Sequence, residues 1–158
     1  SGVTREDIHV EVEVKLERKK DRKHFNRPRL ANVVKHVAHK DLHKIYTATH
    51  PDNCRLILKV YVVLASDGSN AGRLFSSTHG AVKECLAWVL YEPDKSVVYA
   101  SGRVGATDQL KWAVHEFGHF SAADNILFTK LTPELVNDIV AAVNHIVKAK
   151  KENLPSIQ

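Results

Sequence analysis

Leu56-Ile57-Leu58-Lys59-Val60-Tyr61-Val62-Val63-Leu64 is the stretch on which the fold turns. It is nearly continuous in apolar, β-branched and aromatic residues, the composition of a strand covered on both faces. Pro51-Asp52-Asn53 is a turn signal ahead of it, and Ser66-Asp67-Gly68-Ser69-Asn70 reads as a loop behind it. Toward the N-terminus, Ile8, Val10, Val12, Val14 and Leu16 alternate with His9, Glu11, Glu13, Lys15 and Glu17. That period of two predicts a strand with one wet face. Between the two strands, Leu30, Val33, Val34, Val37, Leu42 and Ile45 fit one face of a helix opening near Pro28, with Asp41 as a polar exception. His36, His39 and His43 share another face of that helix.

Toward the C-terminus, Ala81 to Tyr91 reads as either strand or helix. Glu92-Pro93-Asp94-Lys95 is a turn, Ser96 to Ala100 a strand, and Asp108 to about Phe120 a helix. Thr132 as N-cap and Pro133 at the first position open a last helix. Leu135, Ile139, Ala142, Val143, Ile146 and Val147 are its apolar face. The expected fold is α+β: a mainly antiparallel sheet packed around a central helix, with a first helix and a long C-terminal helix. A chain of 158 residues makes one domain. Residues 1–29 form an N-terminal strand and basic loop, 30–150 the core, and 151–158 a tail.

The bulk numbers narrow the class. Hydrophobic content of 44% is that of a globular protein. No apolar run approaches the roughly 18 residues of a membrane span, so no membrane partner is expected. Two cysteines, Cys54 and Cys85, are no disulfide framework; a reducing compartment, cytoplasm or organellar matrix, is expected. No signal peptide is seen at the start. The chain lacks Met, begins at Ser1 and ends Leu154-Pro155-Ser156-Ile157-Gln158; those ends resemble a product of a Gln-specific viral polyprotein protease. Net charge is +5. Seven Lys or Arg crowd Arg18 to Arg29, a run that attracts RNA or a ribosome surface or, equally, a solvated loop that aids solubility.

The chemistry-bearing motif is His115-Glu116-Phe117-Gly118-His119. Two imidazoles four residues apart on a helix lie one turn above each other and can bind one metal ion. The carboxylate between them can take a proton from water, the general-base role. Leu110, Trp112, Ala113, Val114, Phe117 and Phe120 flank them as a buried metal helix would require. A catalytic site needs a third ligand. Cys85 is one candidate, Asp138 and Glu134 are others, and His145 is a distant one. A thiolate with two imidazoles suits Fe(II) or Zn(II).

Ile126-Leu127-Phe128-Thr129-Lys130-Leu131-Thr132-Pro133 follows the motif, and Glu84-Cys85-Leu86-Ala87 precedes it. With Tyr46-Thr47-Ala48-Thr49-His50 ahead of a β-rich stretch, residues 30 to 150 resemble the peptide deformylases. The resemblance implies removal of the N-formyl group from N-formylmethionyl nascent chains, the peptide N-terminus being the substrate. It implies Cys85, His115 and His119 as metal ligands and Glu116 as base. The oxyanion donors would be the backbone N–H of Leu86 and a side chain at position 50, where His50 replaces the family's Gln. The chain departs from the family in lacking the Gly before Cys85 and the Gly-rich turn, and in adding three residues within Phe120 to Asn125. A small H-E-x-x-H zinc peptidase is the alternative enzyme. A non-catalytic RNA- or ribosome-binding domain is the alternative of another class.

Overall fold

The structure, a computed structural model, describes residues 2–17, 28–66, 81–94, 97–109 and 130–153. Among the described residues, four strands and two α-helices make an α+β fold. The strands are β1 (Ile8–Val14), β2 (Leu56–Ser66), β3 (Ala81–Tyr91) and β4 (Val98–Gln109), and the helices are α1 (Pro28–His43) and α2 (Thr132–Asn153). Strand order in the sheet is β1-β2-β3-β4. β1 runs parallel to β2, whereas the β2–β3 and β3–β4 pairs are antiparallel. A parallel pair needs a crossover connection, and α1 lies in that connection, packed on both of the strands it joins.

The sheet carries both helices on one face. Along β1 the alternation puts Ile8, Val10 and Val12 in the core and leaves Glu13 exposed. β2 is the inner strand expected of its composition: only Lys59 and Tyr61 are less than fully buried along its length. Val63 is an extra residue, because Val62 pairs with Leu86 and Leu64 with Cys85. The bulge keeps Val62 and Ala65 both in the helix-side core. It also lets the chain beyond β1 stay attached, with Lys15 and Glu17 donating to the carbonyls of Val62 and Val63.

α1 buries Leu30, Ala31, Val34, Ala38 and Leu42, and α2 buries Leu135, Val136, Ile139 and Val143. The small Ala31 and Ala38 add to the face that larger apolar residues outlined. The two helices are tied where Tyr46, in the turn after α1, reaches α2: its hydroxyl donates to Asn144 Oδ1 at 2.9 Å. Full burial of side chains such as Leu42 and Ile139 contributes roughly 1.5–3 kcal/mol each.

The C-terminal half of the sheet corrects the sequence reading. Ala81–Tyr91 is a strand, and β4 continues nine residues past Ala100, to Gln109. Asp108 and Gln109, expected to open a helix, instead pair with Val82 and Ala81. The physical reason is the neighbour: β3 offers a complete ladder to a segment whose small residues have little strand preference of their own. At Gly102 a Cβ would lie 2.9–3.0 Å from the Trp88 indole, so the glycine makes room for that ring. The H-E-x-x-H segment expected to form a central helix lies outside the described residues.

Candidate metal centre

Cys85 sits half-buried on β3, outside any disulfide, opposite Gly105 of β4. Strand alternation places Glu84, Leu86, Trp88 and Leu90 toward the helices and Cys85, Ala87 and Val89 on the other face. Leu86 is fully buried and pairs with Val62 on one side and Val104 on the other. Its backbone is therefore part of an interior ladder and faces neighbouring strands.

His50 is exposed and leads into a 3-10 turn, Pro51–Asn53, at the opposite end of β2. Two residues before it, Ala48 bridges to His9, which pairs with Ile57. Cys85 pairs with Leu64, seven residues further along the strand, and seven steps of strand span roughly 23 Å. The fold does not bring His50 and Cys85 together. Glu134 and Asp138 are exposed on α2, one turn apart, and His145 is exposed two turns further along. His115, Glu116 and His119 lie outside the described residues. Among the described residues, no three His, Cys, Asp or Glu side chains converge as a metal site.

One buried acid escaped the sequence reading. Glu84 is 1% exposed, and Thr132, the first residue of α2, is fully buried against it. Thr132 Oγ1 lies 3.0 and 2.9 Å from the two carboxyl oxygens. Burial pushes the Glu84 pKa up to about 8, against the weaker opposing pull of the Thr132 hydroxyl. At neutral pH the carboxyl holds its proton, so it can donate one hydrogen bond as well as accept. Its signal was present in the alternation, since Glu84 shares the inward parity of Leu86, Trp88 and Leu90. The same residues frame the motif: β4 ends at Gln109 opposite Ala81, and α2 begins beside Glu84. The end of β4 and the start of α2 thus lie at one end of the sheet.

The sheet face turned from the helices is charge-balanced. Lys59 Nζ lies 3.0 Å from Glu13 and 3.8 Å from Glu11, and Arg103 pairs with Glu17. Shallow hollows there share Tyr61, one bordered by Lys59, Tyr91 and Val98, the other by Ala87, Val89, Ser101 and Arg103.

No family model matches the chain, and no curated protein matches it. Solved structures that are similar include a PelC dodecamer from Paraburkholderia phytofirmans, at 14% identity and TM-score 0.45 over 81% of this chain and 89% of that one. A hypothetical protein from Chlamydia trachomatis aligns at 10% identity and TM-score 0.49, over 90% and 97%.

Proposed function

We propose that this chain is a metal-dependent amide hydrolase, with His115 and His119 as ligands to Fe(II) or Zn(II) and Glu116 as general base. The observation that carries the reading is the H-E-x-x-H spacing in the sequence, which on a helix would set two imidazoles one turn apart with a carboxylate beside them. A bound ion of this kind acidifies water and polarises a carbonyl. Glu116 takes the proton of the attacking water and returns it to the leaving amine. Cys85 is the third ligand in this reading. Its support is its position at the end of the sheet where β4 stops and α2 starts.

The substrate follows from the remaining donors. Peptide deformylase-like action on formyl-Met chains asks for an oxyanion donor at position 50 near the thiolate. The separation of His50 from Cys85 favours the second reading, a small H-E-x-x-H peptidase acting on ordinary peptide bonds, which needs neither His50 nor the Leu86 N–H. No helix among the described residues is long and apolar enough to cross a membrane. Cys54 and Cys85 are not joined in a disulfide, in keeping with a reducing compartment, cytoplasm or organellar matrix.

The test is metal analysis and turnover of protein purified without air. Native protein should hold one equivalent of iron or zinc that His115→Ala or His119→Ala removes. Glu116→Gln should keep the metal and lose most activity, whether on a formyl-Met peptide or on an unstructured protein. Native protein with less than about a tenth of an equivalent after metal-replete expression, or full activity in Glu116→Gln, overturns the reading.

A further inference from the structure

The surface of α1 carries two imidazoles one helical turn apart, stacked on each other. His39 and His43 are four residues apart, both exposed, with ring planes 9° apart and centroids 5.7 Å apart. Metal–nitrogen bonds of about 2.0–2.1 Å bring two rings that meet at one ion to centroids about 5 Å apart, a spacing the pair is already near, and both rings turn out of the stack to aim a nitrogen at the ion. We propose that His39 and His43 chelate one divalent transition-metal ion, of the Zn(II), Ni(II) or Cu(II) class, on the outer face of α1.

Three further observations favour it. His43 is the last residue of the helix, where the carbonyl end of the helix dipole attracts a cation. Burial, then the neighbouring His43, His9, Lys35 and His36, hold the His39 pKa below the ordinary histidine value, which leaves its imidazole neutral and able to ligate near pH 7. His36 stands one turn earlier on the same helix and is also exposed. His9, on β1, is committed elsewhere, with Nδ1 2.9 Å from the Ala48 carbonyl. Imidazole donors select this ion class over Mg(II) and Ca(II), and Cu(II) should bind most tightly. Two protein ligands leave positions open to water or to a donor from another molecule.

The site is separate from the H-E-x-x-H motif, so its occupancy does not depend on the hydrolase reading. Calorimetric titration of chelator-stripped protein with ZnCl2, NiCl2 and CuCl2 reads it directly. His39→Ala and His43→Ala, both on an exposed helix face and checked for helicity by circular dichroism, should each weaken one binding event by more than about a hundredfold, the low end of what linking two binding groups adds. Lowering the pH from 8 to 5 should weaken the same event, since protons compete with a metal for its nitrogen ligands. His36→Ala should leave it within about threefold, that residue not being one of the two ligands. Unchanged binding in the His39→Ala/His43→Ala double variant overturns the proposal. So does wild-type protein that binds none of the three ions at millimolar concentration, or whose metal is lost only in His115→Ala.

Discussion

Thr132 at the start of α2 is hydrogen-bonded to the buried carboxyl of Glu84 on the sheet's inner face, near the end where β3 begins, 2.9 Å between Oγ1 and Oε2. The contact joins residues 48 apart in the chain and closes the C-terminal helix onto β3.

Burial of Glu84 makes stability depend on pH. The folded Glu84 pKa is about 8, raised from an ordinary 4.5. Between those values the folded protein holds a proton that the unfolded chain has released, so raising the pH penalises the folded state. The contribution is fully present below about 4.5 and lost as the pH rises through about 8. Glu84→Gln, which cannot ionise, should flatten the profile over this window, by up to a few kcal/mol relative to wild type. Urea unfolding at pH 5, 7 and 9 compares the two; parallel profiles would refute the role.

Tyr46 is 1% exposed and its hydroxyl donates to Asn144 on α2. Tyr46→Phe keeps the ring in place and removes that bond. Asn144 is exposed and can turn to water, so the cost should be about 0.5–1.5 kcal/mol. The expected signature is a lower urea midpoint with an unchanged m-value. A larger loss accompanied by a changed m-value would mean that the ring itself had moved.

Gly102 admits the Trp88 indole. In Gly102→Ala the added methyl meets Nε1 at 2.9 Å, and Trp88 is 6% exposed with little room to withdraw. Overpacking of this kind costs about 1–3 kcal/mol. Melting temperature should fall and Trp88 fluorescence should shift, read in a Trp112→Phe background. An unshifted melt would show that β4 gives way freely at this point.

Arg18 to Arg29 carries seven Lys or Arg in twelve residues. Binding to single-stranded RNA should weaken with salt, and replacing Lys19, Lys20, Arg22 and Lys23 by Gln should lower the slope of log K against log salt by roughly 0.7 per phosphate contact removed. An unchanged slope would leave the run with solubility alone.

How much was legible depended on whether a segment's pattern has one period. β1 alternates cleanly, and β2 is apolar on both parities because both of its faces are covered, so each was readable locally. α1 and α2 carry apolar residues at helical spacing and have Pro28 and Pro133 at or near their starts. β3 was ambiguous because Ala81 to Tyr91 is apolar on both parities with one inward acid, a pattern that suits either a strand or a buried helix. β4 beyond Ala100 was invisible, since Gly102, Gly105 and Ala106 have no strand preference to read.

The candidate site divides in the same way. The H-E-x-x-H spacing is local chemistry and needs only the sequence to be seen. The distance between His50 and Cys85 depends on which ends of β2 they adjoin, and no local pattern encodes that. Glu84 and Thr132 meet because two strand pairings and the packing of α2 bring them together.

The sequence by itself therefore determined the element types with a clear period, the α+β class and the H-E-x-x-H spacing, because these depend on neighbours a few residues away. The tertiary structure alone decided that Ala81–Tyr91 and Ser101–Gln109 are strands, that Cys85 and Glu84 look to opposite faces, and that Glu84 holds its proton. Each of those depends on partners far along the chain, whose hydrogen bonds and exclusion of water outweigh what the local residues prefer.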